Sequence, residues 1–315
     1  MSRSPDYPSD LAHGLMFHRL HKVGERSQGQ GSLSSDQLEG AVRRVGLERI
    51  LCPSEWIKRV DDGTLNEDDL CLTFDDGLKC HIEVALPVLE RLGLKGFFFI
   101  FSSVFEGGVD RNEVYNRFAV NCFASFDSFV GAFFGFYPVA DSLLDENGFE
   151  KFQQFYSQTF PFYSENDIKF RFVRNKLLKR PDFEDIMDRM IQRAGYDVFS
   201  LAKGVWMDDE DLRTLVARGH RLGLHSYDHP FTLADLTVEQ QQVQYSRNRN
   251  HIVRVTGGSV DSMSHPLNSY GDATFKVLAD LGIVCGFRSN LASIEKKSVA
   301  ARRLELPRVD GAMIC

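Results

Sequence analysis

Two short segments carry residues whose types and spacing could do chemistry together. Leu70-Cys71-Leu72-Thr73-Phe74-Asp75-Asp76-Gly77 is an apolar run that stops on two adjacent carboxylates and a glycine. Side chains alternate faces along a strand, so neighbouring carboxylates converge on one site only where the strand ends and the backbone turns, which Gly77 permits. Taken alone, the same residues would equally make a solvated Asp-Asp-Gly turn. Far downstream, after another short apolar stretch, His225 and His229 stand four residues apart in Leu222-Gly223-Leu224-His225-Ser226-Tyr227-Asp228-His229-Pro230. That spacing puts two imidazole donors on one side of a turn, as a divalent metal needs from a single segment; alone, it also reads as two ordinary histidines on a loop or helix start. With both segments in one site, Asp76 would add an oxygen ligand and leave coordination positions open for water and substrate, as catalytic metal sites do. Asp75 would then be free to act as a base.

Thr73-Phe74-Asp75-Asp76-Gly77 and His225-Ser226-Tyr227-Asp228-His229-Pro230, in that order, resemble the first two motifs of the polysaccharide deacetylases, the NodB-homology enzymes of carbohydrate esterase family 4. The resemblance covers roughly residues 10–105 and 200–315. It implies an α/β fold, a distorted (β/α) barrel with its site at the carboxyl ends of the strands. That barrel would run over residues 10–315, interrupted by a helical insertion at 106–205. Residue by residue, the resemblance makes Asp75 the catalytic base and Asp76, His225 and His229 the ligands of a divalent metal. Zinc suits those donors first, and cobalt, nickel or iron would also be accommodated.

The third family motif is Arg-x-Pro-Tyr in many members and aromatic-Pro-Tyr-Gly in a subgroup. Here Ser264-His265-Pro266-Leu267-Asn268-Ser269-Tyr270-Gly271 is similar to the second form, with His265 and Leu267 at positions usually aromatic. His265, Pro266 and Tyr270 would form a wall of the substrate groove, and His265 could equally be an extra polar contact, a support for the ligands or a direct metal contact. No histidine follows His265, whereas many members keep their general acid in a C-terminal Leu-x-His motif. Gly14-Leu15-Met16-Phe17-His18-Arg19 is instead similar to the Tyr-His-Arg strand of the circularly permuted poly-N-acetylglucosamine deacetylase subgroup, whose acid comes from the N-terminus. The resemblance makes His18 the acid; on its own, His18 also reads as a histidine bonded to backbone at a strand end. Leu304-Glu305-Leu306-Pro307-Arg308-Val309-Asp310 looks like the Leu-Pro-Arg-x-Asp segment of the same subgroup. An arginine beside Asp75 would keep that carboxylate ionised, and Arg308 is the candidate. Asp310 would pair with Arg308, and Arg302 and Arg303 would sit on a solvated face.

The elements that must position these residues are legible in part. Val84 to Gly96 reads as a helix ended by glycine, followed by the apolar strand Phe97–Phe101, so the carboxylate strand opens a βαβ unit. Met207 to His220 begins with acidic residues and closes on Gly219, a helix delivering the chain to the histidine segment, with Asp208 as its cap rather than a ligand. Residues 22–34 form a polar connection, and Ser35 to Val42 a capped helix. In the insertion, Phe118, Phe123, Phe126, Phe129, Phe133, Phe134 and Phe136 recur at helical spacings, as do Phe149, Phe152 and Phe155. Arg171, Arg174, Lys176, Lys179 and Arg180 read as a basic helix. These aromatics would pack the insertion against the barrel with its charges in water; the sharper alternative is a lid or docking face for a lipid-linked or phosphorylated substrate, with peripheral membrane association.

Composition fits an enzyme of this size. The 315 residues are 43% hydrophobic and 26% charged, enough for one large core. A net charge of -7 argues against a nucleic-acid partner. The six cysteines lack Cys-x-x-Cys spacing, the first residues show no basic start followed by an apolar segment, and no run of about 20 apolar residues occurs. Together these point to a cytoplasmic protein with reduced thiols. The function implied is metal-dependent hydrolysis of an N-acetyl group from an acetamido sugar or surface-polysaccharide precursor, nucleotide- or lipid-linked. The alternatives are another C–N amide hydrolase or O-acetyl esterase on the same fold, or an inactive glycan-binding relative, which the retention of base and ligands disfavours.

Overall fold

The computed structural model describes residues 11–27, 29, 31–159, 163–291 and 303–315; residues 1–10 and Arg302, expected above on a polar N-terminus and a solvated face, lie outside them. Two compact units emerge, residues 1–110 with 204–315, and residues 111–203.

The first unit is built on strands β1 (His13–Phe17), β2 (Leu20–His21), β3 (Leu33–Ser34), β4 (Leu70–Phe74), β5 (Phe97–Ile100), β6 (Arg221–Leu224), β7 (Ser262–Ser264), β8 (Cys285–Phe287) and β9 (Arg308–Asp310). β2 and β3 pair only with each other; the remaining seven form one parallel sheet in the order β8-β7-β6-β5-β4-β1-β9. Its two ends nearly meet. Leu306, just before β9, bridges to Phe287 of β8, donating its N–H to Gly286 at 2.8 Å and accepting from Arg288 at 3.0 Å. The result is a distorted (β/α) barrel.

Parallel strands covered on both faces read as continuous apolar runs, and here alternate residues serve two layers. Cys71, Phe97, Phe99, Cys285 and Phe287 pack with Trp56 of the helix Pro53–Asp62. Leu70, Leu72, Phe74, Phe98 and Ile100 point the other way into the larger core shared with the helices. Phe17, Phe74 and Phe98 stack in sequence across three strands, at 5.3 and 4.7 Å between ring centroids.

The helix after β4 departs from its expected form. A π-helical turn at His81–Ala85 precedes the α-helix Leu86–Leu92, which Gly93 ends in the left-handed conformation. Asp208 is a cap, accepting from the N–H groups of Glu210 and Asp211 at the start of the helix Asp209–Ala217. Ser34 caps Ser35–Val45 in the same manner, with Gln37 returning the bond.

The second unit is helical: Arg111–Cys122, Phe126–Phe136, Asp141–Glu146, Phe149–Thr159, Glu165–Phe172, Arg180–Arg193 and Val198–Ala202. Phe118, Phe129 and Phe133 are buried, and Phe170 meets Phe129, Phe133 and Phe183 edge-on or tilted. The basic helix expected over Arg171–Arg180 is broken. Arg171 lies in the last turn of Glu165–Phe172, which passes into a π-turn holding Arg174 and Lys176, and Leu178 and Lys179 are extended before Arg180-Pro181 opens the next helix. Proline is favoured in the first turn of a helix and would remove a hydrogen bond inside a continuous one, which accounts for a helix start there. Among the described residues no single helix is long and apolar enough to cross a membrane.

Gly223 lies in β6, just before the histidine segment. A Cβ there would meet the Phe99 ring at 2.5 Å and the Ser262 carbonyl at 2.8 Å. Gly223→Ala is expected to cost about 1–3 kcal/mol through overpacking, read as a lower urea midpoint; an unchanged midpoint would contradict this packing.

Candidate metal centre and active site

Asp75 and Asp76 follow β4, at the carboxyl end of the barrel. The turn that separates them is left-handed: φ is 75° at Asp76 and 62° at Gly77. At Gly77 a Cβ would also press on Ile100 Cγ2 at 3.1 Å, so glycine answers both strain and space. The two carboxylates therefore leave in different directions and meet different partners.

Asp75 is buried against Arg308. The guanidinium donates from Nη1 to Oδ1 and from Nη2 to Oδ2, each at 2.8 Å, a two-pronged ion pair. Its Nε donates to the Arg288 carbonyl at 2.9 Å and Nη1 also to Thr73 Oγ1 at 3.3 Å. β1 lies between β9 and β4, so the Arg308 side chain must cross it. It does so over Gly14, where a Cβ would stand 3.1 Å from Arg308 Cγ and 3.2 Å from Thr73 Cγ2. Burial alone would raise the Asp75 carboxyl, but the Arg308 charge and hydrogen bond, with the charges of His225 and His18, outweigh it and hold the group below its ordinary value. Asp310, expected to pair with Arg308, instead accepts from the Ala312 N–H at 2.9 Å. Arg303 donates to Asp61 at 2.8 Å in an exposed ion pair, in keeping with a solvated face.

Asp76 faces the histidines. Its Oδ1 lies 3.3 Å from His225 Nε2 and 3.5 Å from His229 Nε2, and the three ligand atoms fall within 4.8 Å of one another. The far side of each ring is held. His225 Nδ1 is 2.9 Å from the Ser264 carbonyl and 2.7 Å from Ser264 Oγ; donation to the carbonyl leaves the Nε2 lone pair facing Asp76. His229 Nδ1 stands 3.6 Å from Asp110 Oδ2, and its ring lies against Phe101 at 5.2 Å. Desolvation would lower His229, but the carboxylates of Asp110 and Asp76 more than compensate and raise it.

These residues fit a divalent cation on their own chemistry. Asp76 Oδ1 is buried and, among the described residues, makes no hydrogen bond, an expensive state for a carboxylate oxygen that a shared cation would relieve. Two imidazole nitrogens and one carboxylate oxygen are a donor set for zinc or a neighbouring transition metal with positions left open.

His18 reaches the same site from β1, its Nε2 4.0 Å from Asp75 Oδ2 and its side chain 34% exposed. The His18 carbonyl accepts from His81 Nε2 at 2.8 Å; His81 is buried, and desolvation lowers its pKa to about 4, keeping it neutral. His265 is placed differently from expectation. It is 1% exposed, its Nε2 is committed to the Leu304 carbonyl at 2.7 Å, and burial lowers its pKa to about 3. Its Nδ1 is buried with no hydrogen bond among the described residues, and its ring stacks on Tyr270 at 4.1 Å. Pro266 is buried as well, while Leu267, left-handed at φ 48°, is 51% exposed. Gly14, Ser264 and Asp110 were not singled out from sequence. The strand position of Gly14, facing a residue far along the chain, leaves no local signature; Asp110, after Gly107-Gly108, looks like any loop acid.

Because the Asp75 carboxyl is depressed, the pair stabilises the fold above the carboxyl's unfolded pKa and loses that contribution as pH falls through its folded value. Arg308→Gln is expected to lose about 3–5 kcal/mol at neutral pH, with the deficit shrinking under acid as Asp75 protonates. Denaturation across pH checks this; a deficit that grows toward acid would contradict it.

A family model for polysaccharide deacetylases matches residues 150–286, a span that includes both histidines but not the two aspartates. No curated protein matches the sequence. Among solved structures, the fold is similar to IcaB from Ammonifex degensii, with TM-score 0.55 and 15% identity, covering 96% of this chain and 91% of that one. It is similar to the deacetylase PplD from Streptococcus pyogenes in complex with acetate, with TM-score 0.54, 13% identity and coverage of 97% and 94%. A de-N-acetylase from Aggregatibacter actinomycetemcomitans gives TM-score 0.54, 13% identity and 95% coverage of each chain. At such identities the likeness is one of fold; with the family-model match over residues 150–286, it makes this chain similar to the polysaccharide deacetylases.

Proposed function

We propose that the protein is a metal-dependent N-deacetylase acting on an acetamido sugar, free or within a glycan precursor. The observation that carries this reading is the buried, unbonded Asp76 Oδ1 facing His225 Nε2 and His229 Nε2, with a second, separately ionised carboxylate beside it. The similar folds that include a de-N-acetylase and an acetate-bound deacetylase support an amide bond as target and acetate as product.

A divalent ion held by Asp76, His225 and His229 would supply Lewis acidity to the acetamide carbonyl and acidify the attacking water. The remaining roles belong to the chain. Asp75 accepts the proton of that water, and Arg308 holds the carboxylate ionised and oriented as it does so. The water oxygen then adds to the carbonyl carbon. His18, partly exposed and near Asp75, is placed to protonate the departing nitrogen, so that acetate and a free amine leave. An amine needs that proton more than an alcohol does, which favours the N-acetyl substrate over an O-acetyl ester.

Asp75→Asn is expected to keep the bound metal and lower kcat by about 10²–10⁴-fold. His225→Ala and His229→Ala are expected to lose metal and turnover together. Elemental analysis and acetate release from nucleotide-linked, lipid-linked and O-acetylated sugars check both points. Near-normal turnover in Asp75→Asn, or release from the O-acetyl sugars alone, would contradict the proposal.

A further inference from the structure

The loop that carries His225 and His229 is held in place by a helix whose sequence looks wholly ordinary. Val238–Thr256 is strongly polar, yet Gln241 and Asn248 are completely buried on it. Asn248 reaches in two directions. Its Oδ1 accepts the His225 N–H at 3.0 Å, and its Nδ2 donates to the Ile100 carbonyl at 2.9 Å, joining the end of β5 to the first ligand. One turn earlier, Gln244 Oε1 accepts from both the Tyr227 N–H at 3.0 Å and the Asp228 N–H at 3.1 Å. From the opposite side, the Tyr227 carbonyl takes the N–H groups of Ser102 and Ser103 at 3.0 and 2.8 Å. Arg247, on the same face as Gln244, lies over the Tyr227 ring at 3.5 Å, and the Tyr227 hydroxyl donates to Glu106 at 2.7 Å.

Every backbone N–H from His225 to Asp228 for which a bond has been described thus ends on an amide of one helix. The loop needs such restraint, because Ser226 and His229 are both left-handed, with φ 65° and 53°. Neither residue is glycine, so the conformation is unfavourable unless its surroundings impose it. The Ser226 side chain adds one local bond, accepting the His229 N–H at 3.1 Å.

We propose that Gln244 and Asn248 are positioning residues for the metal: the amide face of this helix fixes the ligand loop in its strained, ligand-ready form, so that binding does not have to order it. The inference rests on the metal-dependent reading above. Neither residue touches metal or substrate; each acts through the backbone of the loop between the ligands.

The test is cobalt binding to the full-length protein, by competition with a chromogenic chelator and by the visible d–d spectrum. Gln244→Met keeps the length of the side chain and removes the acceptor; Gln244→Glu keeps the acceptor. Gln244→Met is expected to weaken cobalt about 10–100-fold, the range for outer-shell partners of ligands, and to alter the d–d bands, while the metal-free protein melts near wild type. Gln244→Glu is expected to retain the wild-type spectrum. Asn248→Asp, which keeps the acceptor for the His225 N–H and loses the donor to Ile100, is expected to weaken binding less than Gln244→Met. Wild-type affinity and spectrum in Gln244→Met would overturn the inference and leave the functional reading standing. Failure of the wild-type protein itself to bind cobalt would overturn both.

Discussion

The buried pair between Arg308 and Asp75 is the interaction on which the rest of this site depends. A guanidinium and a carboxylate withdrawn from water are costly to desolvate, and such a pair holds only when its geometry is good and its remaining donors are bonded. The geometry is good, and Arg308 also donates to Thr73 and to the Arg288 carbonyl. The pair also ties the final strand to the first motif across β1, a path that exists because Gly14 has no side chain. Without Arg308, or with a side chain at position 14, the carboxylate proposed as the base would lose this partner.

That arrangement explains how two adjacent aspartates come to have separate work. The left-handed turn at Asp76 and Gly77 points one carboxylate toward the arginine and the other toward the imidazoles. One is satisfied by a cation built into the fold. The other keeps a bare oxygen between two nitrogen donors, which is the condition for taking a cation from solution. Among the described residues, three of the five non-glycine residues with positive φ, Asp76, Ser226 and His229, lie in this small region. Strain of this kind persists where surrounding bonds over-determine the backbone, and here they come from Asn248, Gln244 and Ser226.

What could be seen in the sequence was what is local. Strand-end carboxylates and a four-residue histidine spacing each leave a compact signature, while the barrel and the place of Arg308 come with the family resemblance that those motifs carry. Residues acting at a distance leave none. Asn248 is one amide among many polar residues on its helix, and its value comes from lying beside the ends of β5 and β6, which only folding decides. His265 shows the reverse: its place in a motif suggested a wall of the substrate groove, while its Nε2 binds a backbone carbonyl in the core and its ring packs against Tyr270. The basic run at Arg171–Arg180 is not one helix because the chain turns extended at Leu178 and Lys179, a break that none of its own basic residues signals.

The central claim is that Asp76, His225 and His229 form one mononuclear site to which each contributes a single atom. X-ray absorption at the zinc edge of the zinc-loaded protein tests it most directly. The account predicts a light-atom first shell with the multiple-scattering signature of two imidazoles and no sulfur. A sulfur contribution, or a shell with fewer than two imidazoles, would contradict it.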